Sequence, residues 1–162
     1  MSGEEPGAQA AATQSPALAA ARTERAGLHQ CMGALEEAVA SPAVGREREW
    51  VREVHNRLVE LGAAFERHIA VTEGPGGLFE EVHKAAPRLT HGVERLADDH
   101  REIRAAIGRA LDAIRDRADM LPKTPGDGRE AVLDLLDQLM RHRQLGADLI
   151  YEAYQVDMGA GD

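Results

Sequence analysis

Cysteine is nearly absent. One Cys in 162 residues leaves no intrachain disulfide and no Cys-x-x-Cys motif for redox chemistry or zinc. Aromatics are almost as scarce: two Phe, two Tyr and one Trp, 3% of the chain. Together with few β-branched residues, this argues against sheet, which favours both kinds of side chain. Basic charge is in deficit, with 19 Lys and Arg against 28 Asp and Glu and a net charge of −9. Such a balance excludes nucleic acid and anionic membrane surfaces as expected main partners, because both reward a basic face. No apolar run reaches the about 18 residues that a spanning helix needs. The first sixteen residues have neither a basic stretch nor an apolar one of the secretory kind, so the expected location is cytoplasmic.

What remains is rich in Ala, Leu, Glu and Arg, all good helix formers. One domain suits this length. Residues 1–16, with Gly, Pro, Gln and Ser and little that is large and apolar, read as a disordered tail, and 158–162 as a second one. Between them, residues 17–157 read as an all-α domain with four long helical segments.

The first long segment, from Pro16 to Ala40, carries Leu18, Ala21, Leu28, Met32, Leu35 and Val39 at spacings mostly of three or four. The second, from about Arg46 to Thr72, carries Val51, Val54, Leu58, Leu61, Phe65, His68 and Thr72. Gly74-Pro75-Gly76-Gly77 breaks it, and a short helix from Leu78 to about Ala86 follows, ended by Pro87. The third, from Leu89 to Ala118, has Leu89, Val93, Leu96, His100, Ile103, Ile107, Leu111 and Ile114 on one face. A loop from Leu121 to Gly128 precedes the fourth, from Arg129 to Val156, whose stripe is Val132, Leu135, Leu139, His142, Gly146, Leu149, Ala153 and Val156. Each segment has one apolar stripe and a charged back. Four such helices joined by short loops predict an up-down-up-down four-helix bundle.

Three of the seven histidines occupy stripe positions where Leu or Ile is expected: His68, His100 and His142, one on each of the last three long segments. An imidazole without a partner in a bundle core costs roughly 1–3 kcal/mol. Several imidazoles around one point satisfy one another best through a metal. Counting about 1.5 Å per residue from the turns, the three share a layer to within about 8–9 Å. His29, at the edge of the first stripe, is about 16 Å out of register with His68 by the same count. His55 matches the height of His29 better; either the loop around Gly45-Arg46-Glu47 is extended or His29 is not in the layer, and His55 is the alternative to His29.

Four fragments in order then resemble the hemerythrin-like, or HHE cation-binding, family: Leu28-His29-Gln30-Cys31-Met32, His68 through Glu73, Asp98-Asp99-His100-Arg101-Glu102-Ile103, and His142 through Gly146. The histidines are 39, 32 and 42 residues apart, and the resemblance covers about residues 20–157. It implies a four-helix bundle holding non-haem iron, one or two Fe, with His29, His68, Glu73, His100 and His142 as metal ligands. It implies binding or sensing of O2, NO or peroxide, or iron handling, rather than an established enzymatic turnover, although peroxidase-type redox activity stays open. The family's His-x-x-x-Glu pattern is not kept. Thr72 stands four residues after His68, with Glu73 fifth, and Gly146 stands four after His142. Four His and one Glu suit a single Fe, Zn or other imidazole-preferring ion equally well. Asp99, Glu102 and Glu36 are candidate acceptors for the outer ring nitrogens. Tyr151 and Tyr154 are candidates to approach the site. The competing reading is a bundle that has lost its metal and serves as an interaction or regulatory protein.

Overall fold

The computed structural model describes residues 15–119 and 126–154. Among these, every regular element is helical. The elements are α1 (Pro16–Ala40), α2 (Glu47–Glu73), α3 (Leu78–Ala85), a single 3-10 turn (Pro87–Leu89), α4 (Thr90–Asp119) and α5 (Gly126–Tyr154). Residues 1–14 of the expected tail at 1–16, the whole of the expected tail at 158–162, and most of the expected loop before the last helix lie outside the described residues. Pro16, placed in the tail by composition, is the first residue of α1.

Local chemistry sets the ends. Ser15 caps α1, its Oγ accepting from the Leu18 amide at 3.0 Å, and Pro16 follows at a position whose missing N–H costs nothing. Glu47 and Glu49 put negative charge in the first turn of α2. The turn after Glu73 needs its glycines. Gly76 has φ +69°, and a Cβ on Gly77 would stand 2.7–2.9 Å from the carbonyl oxygens of Gly74, Val71 and Thr72. Helix α5 begins at Gly126, three residues before the expected Arg129. A glycine costs only about 1 kcal/mol in a helix. The first turn is also held down, because the Arg129 guanidinium lies 5.2 Å from the Trp50 ring centre.

The four long helices form a bundle. Helix α1 packs on α2, α2 on α4 and α4 on α5, with a lighter contact between α1 and α5. The short α3 lies against α1, α2 and α4. The core has two apolar parts. One gathers Leu28, Leu35, Trp50, Leu58, Phe65, Ile103, Ile114, Leu135 and Leu139 with their neighbours. The other gathers Leu18, Ala21, Leu78, Phe79, Val82, Leu96, Leu149 and Ile150. On α4 the two parts are separated at His100 and on α5 at His142, so the histidines form a polar layer between two apolar ones. On α1 the same gap falls between Ala21 and Leu28.

Candidate metal centre

His68, His100 and His142 are all buried, with relative exposures of 6%, 1% and 5%. Helix α2 supplies the first, α4 the second and α5 the third. Their Nε2 atoms converge: 3.3 Å from His68 to His142, 3.2 Å from His100 to His68 and 3.1 Å from His100 to His142. Two nitrogen ligands at about 2.0–2.1 Å from one ion stand about 2.9 Å apart at right angles and about 3.3 Å apart at the tetrahedral angle. All three separations fall in that interval. Among the described residues this is the group of His, Cys, Asp and Glu whose atoms could share an ion.

The outer nitrogens fix the tautomers. His100 Nδ1 donates to Glu73 Oε1 at 2.5 Å. His142 Nδ1 donates to Asp99 Oδ2 at 3.4 Å, a long contact. An ionised carboxylate only accepts, so both protons sit on Nδ1 and both Nε2 atoms present lone pairs. Two lone pairs therefore face one another at 3.1 Å. A proton on His68 Nε2 bridges to at most part of this triangle, and it leaves His68 Nδ1, buried and without a hydrogen-bond partner, as an unsatisfied acceptor. A cation at the centre removes the repulsion and uses all three lone pairs.

Burial keeps the three imidazoles neutral. It lowers the His68 pKa to about 3, helped by His100, His142 and Arg25. It lowers that of His100 to about 3 as well, with His142 and Arg104 adding and Glu66 opposing. For His142 burial again lowers the pKa, against the pull of Asp99. All three are in the form that binds metal at neutral pH. Phe65 lies under all three rings, stacked on His68 at 5.9 Å and edge-on to His100 at 5.7 Å and His142 at 6.3 Å. Phe79 stacks on His100 at 5.6 Å and 8°.

The other expected site residues fall elsewhere. Glu73 does not reach the centre. Helix α2 stays helical through Glu73, and the side chain takes the outer nitrogen of His100 instead. His29 is exposed and outside the cluster, because it stands one residue, about 100°, beyond the buried Leu28. His55 is half-buried and also outside it. Asp99 is the outer acceptor of His142; neither Glu36 nor Glu102 joins the cluster. Tyr151 is exposed, and Tyr154 donates to the Glu81 carboxylate, which also accepts from Ser15 Oγ at 2.6 Å. Thr72, four residues after His68, donates to the His68 carbonyl at 2.8 Å. Cys31 is half-buried against the core.

Beside the triad lies a cavity of about 30 Å³, lined chiefly by Leu, Ile, Met and Phe side chains together with His68, His100 and His142. At roughly 10–15 Å³ per water centre it has room for about two waters or a diatomic molecule. Arg25 and Arg143 are its charged lining, with His29 beside them. Arg25 was not among the expected site residues, although a signal existed. The spacing Leu18, Ala21, Arg25, Leu28, Met32 alternates three and four without a gap. Arg25 thus occupies a stripe position, as the three histidines do.

No family model matches the chain, and no curated protein sequence or solved structure shows significant similarity to it. The site is therefore argued from its own geometry. One consequence concerns Glu73. A carboxylate on the outer nitrogen of a ligating imidazole orients the ring and raises its basicity, and its loss typically costs 10–100-fold in metal affinity. We expect Glu73→Gln to weaken metal binding about tenfold or more in a competitive chelator titration, with helix content by circular dichroism unchanged. Unaltered affinity would show that this contact does not tune the site.

Proposed function

We propose that the chain is a hemerythrin-like up-down-up-down bundle that holds one non-haem metal ion, iron first among the candidates, through His68, His100 and His142. The observation that carries this is the triangle of Nε2 lone pairs, with two outer nitrogens already tied to carboxylates. The short link between α1 and α2, with five residues between the Ser41 cap and Glu47, supports an antiparallel arrangement of that pair. Three neutral imidazoles suit Fe, Zn, Cu or Ni better than hard oxygen-preferring ions. With no carboxylate among the converging atoms, the donor set suits one ion rather than two.

A bound ion would supply Lewis-acid or one-electron chemistry with open positions. The chain's own residues do the rest. Glu73 and Asp99 hold the outer protons and the ring orientations. Phe65, Phe79 and the apolar cavity wall keep bulk water away. The cavity beside the triad is of the size to admit O2, NO or peroxide, which makes a carrier or sensor of such a molecule the reading we favour.

Anaerobic titration of the purified, chelator-stripped protein with ferrous iron, followed by elemental analysis after gel filtration, tests the centre. One iron per chain is the expected result. Two per chain would restore the dinuclear centre that the family resemblance implies. None with iron, zinc or cobalt would leave the metal-free bundle, acting through its surface, as the surviving reading.

A further inference from the structure

The polar layer takes a histidine from each of α2, α4 and α5, but from α1 it takes Arg25. The Arg25 side chain lines the cavity beside the triad, together with Arg143 of α5. Its one described hydrogen bond is long, 3.4 Å from Nη2 to the Arg143 carbonyl, and no carboxylate pairs with it among the described residues. The nearest acid on its own helix, Glu24, is engaged by Arg67 at 3.4 Å. Arg25 is half-buried, and its surroundings are basic. Burial and the charges of Arg143 and Arg22 all lower its pKa. Its positive charge is felt at both His68 and His142.

This is a costly arrangement for a site that binds only a cation. A half-buried guanidinium without a counter-ion loses hydration, and it repels a metal ion at the same time. An anion between the two removes both penalties. It would accept hydrogen bonds from Arg25 and meet the open face of the ion. The cavity suits a small one: its volume of about 30 Å³ has room for two or three heavy atoms. The planar fork of a guanidinium matches a carboxylate-like pair of oxygens.

We infer that the metal site, as read above, binds its exogenous ligand as a small anion of two or three heavy atoms, and that Arg25 recognises it. Arg143 adds charge at the same wall. The neutral apolar remainder of the cavity selects for size rather than for further polar groups. The inference rests on the three-histidine metal reading, and each is tested separately.

Arg25→Gln removes the charge while keeping much of the volume. Metal affinity is measured first, by chelator competition with cobalt(II) in a buffer without small anions. Formate is then titrated into the cobalt-loaded protein at fixed ionic strength, by calorimetry and by the change in the cobalt absorption bands. We expect Arg25→Gln to bind cobalt more tightly than the wild type by several-fold, because a repulsive charge is gone. We also expect it to bind formate about tenfold more weakly, or more, with Arg25→Lys in between. Opposite signs in the two readouts are the signature of the proposed role. A variant that loses both affinities has a general structural defect, and equal formate affinity in all three proteins means that the ion alone binds the anion; either result overturns the inference. Failure of the wild type to load cobalt would overturn the metal reading and this inference with it. Normal loading without formate binding would overturn this inference alone.

Discussion

Replacing His100 by Leu is expected to abolish stoichiometric metal binding and, in the metal-free protein, to leave stability unchanged or raise it. His100 is the most buried of the three histidines, and its Nε2 stands 3.2 and 3.1 Å from the other two. A structural zinc site with four ligands is worth about 10–16 kcal/mol in all, so one ligand represents roughly 3–4 kcal/mol, two to three decades in affinity. The effect on the empty protein has the opposite sign for a separate reason. The His100 ring packs on both Phe65 and Phe79, apolar neighbours that a leucine would also meet. Its Nε2 faces another lone pair at 3.1 Å. Leucine fills comparable space and takes away the lone pair that stands against that of His142. Glu73, relieved of its proton donor, is 38% exposed and turns to water. Thermal melts of both proteins with and without metal separate the two effects. The wild type gains stability on loading, because the ion binds the folded state, and His100→Leu gains none. If His100→Leu still takes up one ion per chain, the triad is not the site. If it is strongly destabilised without metal, the histidines form a satisfied network of their own, as a metal-free bundle would have.

The two halves of that expectation show which parts of the molecule could be read in its sequence. The helices could, because a stripe at three-and-four spacing broken by Ser41-Pro42, Gly74-Pro75-Gly76-Gly77 or Pro87 leaves little freedom in where a helix starts and stops. The three converging histidines could as well, since each interrupts an otherwise apolar stripe. Arg25 interrupts its stripe in the same way, but a long basic side chain on a helix is most often solvated, so the sequence does not single it out. The fourth histidine was sought on α1 by resemblance of short fragments, and His29 answered the fragment but not the angle. A single residue past Leu28 is enough to carry it out of the interior. The role of Glu73 was the least legible. One turn of helix decides whether a carboxylate reaches an ion or the back of an imidazole. That depends on how far α2 continues before the glycines, which residue spacing alone does not show. Axial heights counted from loop ends placed the three histidines in one layer, and part of their offset on α5 comes from that helix beginning at Gly126 rather than Arg129.

Phe65 is expected to be the costliest single truncation in the core, because it serves the fold and the site together. Its side chain is fully buried. It touches the apolar cluster that joins α1, α2, α4 and α5, and it forms the floor under all three imidazoles. Truncation of a buried Phe to Ala costs about 3–5 kcal/mol in lost burial and unfilled cavity. In a domain of this size each kcal/mol lowers the melting temperature by roughly 2–4 °C, so Phe65→Ala should melt about 10 °C or more below the wild type. Phe65→Leu, which keeps most of the volume, should lose only a fraction of that. Metal affinity should fall as well, although no ligand is touched. With the floor gone, the His68 ring loses its stacked partner and the three Nε2 atoms are no longer held within 3.3 Å of one another. Excess metal should therefore rescue Phe65→Ala less, in degrees, than it stabilises the wild type. Equal metal-induced shifts in the two proteins would mean that the triad holds its geometry without Phe65. The rigidity of the site would then come from Glu73 and Asp99 behind the rings.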